Sequence, residues 1–293
     1  MTFPLIKKTT AGTKLLIFIL LVVFGLAFSS VIEAFITMLG GDGISQVGKL
    51  QLAQICSQVV AFMLPPVLYA VLVKERPLNY LGFKKLPTWS LLGIIAMFTI
   101  LPFNGMVTEW NANISFPDSM RAYEESLKDL YEKIDEITGL MLNAGGTGNF
   151  VINLLIFGAF AAIGEELFFR SVIQKSLVKI CKNAHVGIIA TAIFFSAFHF
   201  DFYGFFPRVI LGLMLGYMFH LSGSIFSSML MHFVNNATIV IIYYLNNQGV
   251  IDINADEFGS SSSIGLIFLS LISTIIIFII CNRFKNRTEK LTN

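Results

Sequence analysis

Three short polar motifs stand inside an otherwise apolar chain, and their side chains are those of acid–base chemistry. The first is Gly164-Glu165-Glu166-Leu167-Phe168-Phe169-Arg170, the second Phe195-Ser196-Ala197-Phe198-His199, and the third His232-Phe233-Val234-Asn235-Asn236. A buried carboxylate without a counter-charge has a raised pKa, which suits a general base near neutral pH. An imidazole beside an amide can bind a carbonyl oxygen as negative charge develops on it. On helices, residues at i and i+4 share a face and adjacent ones diverge by about 100°. Glu166 and Arg170 are then partners, while Glu165 points elsewhere with no partner on its own helix. His232 and Asn236 face one cavity, and His199, on another helix, is placed to meet Glu165.

The elements that must position these groups are membrane helices. Of 293 residues, 55% are hydrophobic and 13% charged, against about 25% charged in soluble domains. Net charge is +2, so no basic tract points to nucleic acid. Cys56, Cys181 and Cys281 are scattered and make neither a disulfide framework nor a zinc motif. A bilayer core of about 30 Å needs roughly 20 apolar helical residues. Eight segments qualify: 15–39, 52–73, 88–108, 149–172, 185–203, 206–221, 223–246 and 263–282. The first follows Lys7, Lys8 and Lys14 but is too long for a signal peptide and lacks a small-residue cleavage site, so it reads as an uncleaved span. Pro65, Pro66 and Pro102 predict kinks in the second and third spans.

Alternating the spans from a cytoplasmic N-terminus sorts the charges. One side collects Lys7, Lys8, Lys14, Lys74, Arg76, Lys84, Lys85, Arg170, Lys175, Lys179, Lys182, Arg283, Lys285, Arg287 and Lys290, which is 15 of the 20 basic residues. The other receives Lys49, Arg121, Lys128, Lys133 and Arg208. Positive residues favour the cytoplasmic side, so the pattern predicts both termini there. The fold class read from the sequence is therefore all-α: a polytopic transmembrane bundle of about eight spans forming one domain over 1–293. The loop 109–148 is expected outside. It carries Leu127, Leu130, Ile134 and Ile137 at helical spacing among acids, which predicts an amphipathic surface helix lying on the membrane or capping the bundle. A substrate lid is the sharper reading of the same segment, and nothing in the sequence selects it.

Ionisable residues inside spans are costly, so their default reading is functional. With the span edges above, Arg170 falls at the cytoplasmic rim. Glu165 then lies about 10 residues, roughly 15 Å, nearer that face than His199. Gly212 and Gly216 form a G-x-x-x-G that permits close helix packing. His220, Asp201 and Asn235 are weaker candidates. Two histidines and a carboxylate can hold zinc, but no H-E-x-x-H occurs and the i, i+4 pair is His with Asn, a poor ligand set. The expectation is a site without metal or other cofactor.

Glu-Glu-x-x-x-Arg at 165–170, Phe-x-x-x-His at 195–199 and His-x-x-x-Asn at 232–236 resemble the three motifs of the CPBP family, the CAAX proteases and bacteriocin-processing enzymes also called Abi. Each motif alone is weak; the three in order on successive apolar helices are specific. The resemblance covers 150–245, which it marks as a catalytic core. It implies a glutamate-dependent intramembrane endopeptidase with a cavity open to the cytoplasm. Carried over by motif, Glu165 would activate water, His199 would orient it, and His232 with Asn236 would stabilise the oxyanion, supported by Glu166 and Arg170. The alternatives are a non-enzymatic bacteriocin-immunity or membrane scaffold protein and a proton-coupled carrier. Expected partners are a peptide or protein substrate and membrane lipid, not nucleic acid, with a homo-oligomer left open. The expected location is a bacterial cytoplasmic membrane, as a multi-pass protein.

Overall fold

The computed structural model describes residues 9–38 and 44–292. Lys7, Lys8, Leu39 and the side chain of Lys290 lie outside the described residues. Of the described residues 83% are helical, and none of them is in a strand. In order run α1 (Ala11–Met38), α2 (Gln46–Val73), α3 (Thr88–Thr99), α4 (Leu101–Ala112), α5 (Arg121–Leu142), α6 (Thr147–Cys181), α7 (Ala184–Ala197), α8 (Phe205–Ser222), α9 (Ile225–Asn247) and α10 (Ile264–Thr292).

Six of these (α1, α2, α6, α8, α9 and α10) are long and apolar enough to cross a bilayer. The pair α3–α4 makes a seventh if its 46° bend belongs to one broken span. Pro102 lies just past that bend, where its missing N–H and fixed φ interrupt the helix. All eight expected apolar segments are helical. The fifth, expected over 185–203, is a 14-residue helix ending at Ala197, short of the roughly 20 needed to span. It stops because the chain turns: Phe200 takes a positive φ of 52°, and the Asp201 carboxylate accepts the N–H of Gly204. This is a multi-pass integral membrane protein, and its outer surface fits that setting. Phe24, Phe35 and Ile264 are 70%, 64% and 71% exposed, as lipid-facing side chains would be.

The helix carrying the first motif is irregular on both sides of it. Wide π turns occupy Leu154–Phe160 and Phe169–Gln174 of α6 and flank the regular turns Ala161–Phe168. Such turns shift the face a helix presents and recur at functional positions. A third, Gln58–Met63 in α2, directly precedes Pro65 and Pro66, whose missing N–H groups leave carbonyls of the preceding turn without their regular donors. Gly164 lets this turn approach, since a Cβ there would lie 3.1 Å from Phe62 Cβ and 3.2 Å from Gln58 Oε1.

The remaining positioning comes from two tight connections. Lys182, at φ 52°, reverses the chain between α6 and α7, and the Asn183 side chain caps α7 by accepting the N–H groups of His185 and Val186. The α8–α9 turn uses Gly223 at φ 64° and is fastened by Ser224 Oγ donating to Lys84 O at 2.8 Å. α8 crosses α7 closely at the G-x-x-x-G. A Cβ on Gly212 would lie 3.1 Å from that of Ala192, and one on Gly216 would lie 2.9 Å from Ile188 Cγ2 and Gln174 Oε1. Gln174 Nε2 also donates to Gly216 O at 2.9 Å.

The bundle has two chemically different ends. At one end Lys175 Nζ donates to Tyr80 O, and Lys74 stands near Lys14 and Lys179. Burial holds the Lys74 ammonium below its ordinary pKa, and repulsion from those two lysines adds to the effect. At the other end α5 overlies the turn after α7. There Tyr203 Oη donates to Glu124 Oε1 at 3.3 Å, Glu124 pairs with Lys128 at 3.0 Å, and Asn247 Nδ2 donates to Leu142 O at 3.1 Å. The hydrogen bond from Lys128 lowers the carboxyl pKa of Glu124. Leu130, Ile134 and Ile137 stay exposed along α5, which fits the surface helix expected over 118–142.

At the α7–α8 crossing a side chain on residue 216 would displace Ile188 and Gln174, the latter held by its bond to Gly216 O. Gly216→Leu should lose about 1–3 kcal/mol through overpacking. The midpoint of a thermal melt in detergent should fall, whereas Leu213→Met on the same helix should shift it little.

Candidate active site

The helical register produces the expected pair, though not at the expected depth. Glu166 Oε2 receives Arg170 Nε at 3.1 Å, one turn apart on α6, and both side chains are 0% exposed. The sequence places Arg170 at the cytoplasmic rim; it lies instead 11 residues before the end of a 35-residue helix that runs to Cys181 rather than ending near 172, and it is fully buried. The guanidinium carbon sits 5.1 Å from the Phe195 ring centre, so an aromatic face meets charge that the carboxylate leaves uncovered. Arg170 Nη1 and Nη2 have no hydrogen-bond partner.

The same helix extension removes the expected 15 Å separation between Glu165 and His199. The two are equidistant in sequence from Lys182, so the antiparallel α6–α7 hairpin returns His199 to the depth of Glu165. Glu165 Oε2 lies 3.9 Å from His199 Nε2 and 3.8 Å from His232 Nε2. Its Oε2 is buried and makes no hydrogen bond, while the side chain as a whole is 13% exposed. One carboxylate oxygen therefore faces two imidazole nitrogens across gaps slightly too long for direct bonding.

The other ring nitrogens fix how each imidazole can act. His199 Nδ1 lies 2.8 Å from Phe195 O. A carbonyl only accepts, so Nδ1 carries hydrogen and neutral His199 turns a lone pair at Nε2 toward the cavity. His232 Nδ1 lies 3.1 Å from Glu166 Oε1. With Glu166 paired to Arg170, that nitrogen also donates, which fixes the orientation of the ring. Phe195 packs edge-on to both rings, at centroid distances of 5.0 Å and 5.8 Å.

Asn236 Nδ2 donates to Phe157 O at 2.9 Å, a carbonyl in the first wide turn of α6. Asn235 Nδ2 donates to Asn236 Oδ1 at 3.0 Å. The Asn236 amide plane is thus held from both ends, and its second N–H remains for another acceptor. Adjacent on a helix, Asn235 was expected to point away; it lines the same cavity and orients its neighbour. Asp201 caps the turn at Gly204, as its position suggested, and also pairs with Arg208 Nη2. Sequence reading placed Arg208 among the outward charges and missed this partnership. The available signal was two opposite charges flanking a glycine turn.

Glu165, His199, His232 and Asn236 line one cavity of about 770 Å³. Glu166 and Arg170 lie behind its wall. The mouth is formed by Lys128, Tyr131 and Glu132 of α5, with Tyr203 and Phe258. It opens at the α5 end of the bundle, opposite the lysine-rich end. An extracytoplasmic 109–148 and a cavity open to the cytoplasm, both expected above, are therefore mutually exclusive. Among the described residues no group of three His, Cys, Asp or Glu side chains is arranged to hold a metal ion.

Removing one member of the buried pair strands the other. Arg170→Ala should cost about 3–5 kcal/mol, read as a lowered melting midpoint in detergent. Pairing it with Glu166→Gln should recover part of that loss, because no bare carboxylate then remains.

No curated protein and no solved structure matches the chain. Residues 147–238, from the start of α6 into α9, match the family described as Type II CAAX prenyl endopeptidase Rce1-like, and all six motif residues lie within them.

Proposed function

We propose that the protein is an intramembrane endopeptidase that hydrolyses a peptide bond with a water activated by Glu165. The observation that carries this reading is the meeting of the unpartnered Glu165 Oε2 with the Nε2 atoms of His199 and His232, at 3.9 Å and 3.8 Å, inside one cavity. The family likeness of 147–238 supports the same class of reaction.

In the proposed cycle a water enters between Glu165 and His199. Its oxygen attacks the scissile carbonyl carbon while Glu165 takes its proton. His199, donating through Nδ1 to Phe195 O, offers Nε2 as acceptor for the second water hydrogen and so sets the direction of attack. The oxyanion is bound by the free N–H of Asn236 and by His232, whose ring is oriented by the bond between Nδ1 and Glu166. Arg170 keeps Glu166 ionised. Collapse of the tetrahedral intermediate breaks the C–N bond, and the proton held by Glu165 passes to the departing amine.

The charge distribution supports an orientation with the lysine-rich end and both termini in the cytoplasm of a bacterial cell. Within this reading 150–245 is the catalytic core, and the helices outside it support the cavity wall.

Glu165→Gln keeps the size of the side chain and removes its basicity. Cleavage of a peptide substrate by the purified variant should fall by about 10²–10⁴-fold, with the melting midpoint near that of the native protein. Undiminished turnover would refute the role given to Glu165.

A further inference from the structure

The cavity reaches only one end of the bundle. Glu165, Phe195, His199 and His232 form its deep wall, and α5 with the turn around Tyr203 forms its mouth. Toward the other end the path is closed by Glu166, Arg170 and Ser171, each 0% exposed. A separate cavity of about 320 Å³ lies between Lys84, Lys175, Lys179 and Gly223 at the lysine-rich end and shares none of the catalytic groups.

The two ends differ in charge far more than in hydrophobicity. Of 20 Lys and Arg residues, Lys49, Arg121, Lys128, Lys133 and Arg208 belong to the α5 end, and Arg170 is internal. That leaves fourteen, carried by 1–14, 74–85, 175–182 and 283–290. Removing Arg170, which the sequence alone placed at the cytoplasmic rim, leaves the bias intact. The described parts of these segments are short loops or helix ends, where Lys and Arg set orientation most strongly. α5 adds six acids to its end: Glu124, Glu125, Asp129, Glu132, Asp135 and Glu136.

We infer that the catalytic cavity receives its substrate from the non-cytoplasmic side of the membrane, beneath α5. The substrate class is then an extended segment of a polypeptide already translocated across the membrane or inserted into it, and the reaction that supplies it is protein export. A peptide confined to the cytoplasm would meet the closed, lysine-rich end. The substrate half of this inference rests on the endopeptidase reading; the direction of access does not.

Thiol accessibility tests it with a membrane-impermeant charged maleimide on intact cells. Native Cys181, exposed at the end of α6, reports the lysine-rich end in a variant with Cys56 and Cys281 replaced by serine. With all three native cysteines replaced, Glu125→Cys reports the outer surface of α5, and Thr108→Cys reports the cavity interior. Labelling of both introduced thiols in intact cells, with Cys181 modified only after permeabilisation, supports the inference. Labelling of Cys181 in intact cells, or protection of Thr108→Cys while Glu125→Cys reacts, overturns it. A C-terminal reporter fusion avoids the cysteine background: fluorescence without alkaline phosphatase activity agrees, and the reverse overturns it. If access is as inferred but Glu165→Gln cleaves normally, the peptidase reading falls while the access route stands.

Discussion

The ion pair between Glu166 and Arg170 is the constraint around which the site is organised. Two full charges at 0% exposure, inside a helix that crosses lipid, are tolerable only as a pair with near-zero net charge. The pair then does more than neutralise itself. The second oxygen of Glu166 holds His232 Nδ1, which orients that ring on α9 from α6, and Phe195 on α7 lies over the guanidinium. Three helices are tied at one depth by one carboxylate and one guanidinium. Arg170 still has two guanidinium nitrogens unsatisfied, so the arrangement is held by surrounding packing as well as by its own bonds.

Glu165 is the complement of that pair. It occupies the next position on the same helix, yet it gains none of the compensation its neighbour receives. A buried acceptor left unmatched costs stability, and a fold persists with such a group only where the rest of the structure holds it. The wide turns on either side of Ala161–Phe168, the close approach of α2 at Gly164 and the tight α6–α7 return supply that support. They keep one carboxylate oxygen within 4 Å of two imidazoles without letting it settle into a direct bond.

The sequence revealed the periodic part of this arrangement and concealed the part that depends on where helices stop. Spacing of four identified the Glu166–Arg170 pair and the shared face of His232 and Asn236, because side-chain direction follows from helical geometry alone. The G-x-x-x-G was readable for the same reason, and its close crossing is present at Gly212 and Gly216. Hydropathy found the apolar segments, but it sets edges by composition. It stopped the fourth helix near 172, although polar and basic residues continue it to Cys181, and it carried the fifth past Ala197 through a turn. Those two errors together produced the false separation of Glu165 from His199 and moved Arg170 to a rim. Asn235 was underrated and the pairing of Arg208 missed because their roles come from neighbouring groups, namely a side-chain amide and a turn carboxylate.

Depth also decides between the two expectations that conflict. A likeness carried by motifs transfers chemistry, because the motif residues are the chemistry. It does not transfer the side of the membrane, which depends on charges outside the motifs. Here most of the described Lys and Arg residues lie at the end away from the cavity mouth, and the buried Glu166 and Arg170 lie between them and the groups that line the cavity. The Glu166–Arg170 pair thus acts as support for His232 on one side and as part of the cavity floor on the other. A floor made of paired charges is hard to open without exposing both to lipid, so a path through to the lysine-rich end would require dismantling the site that the path would serve.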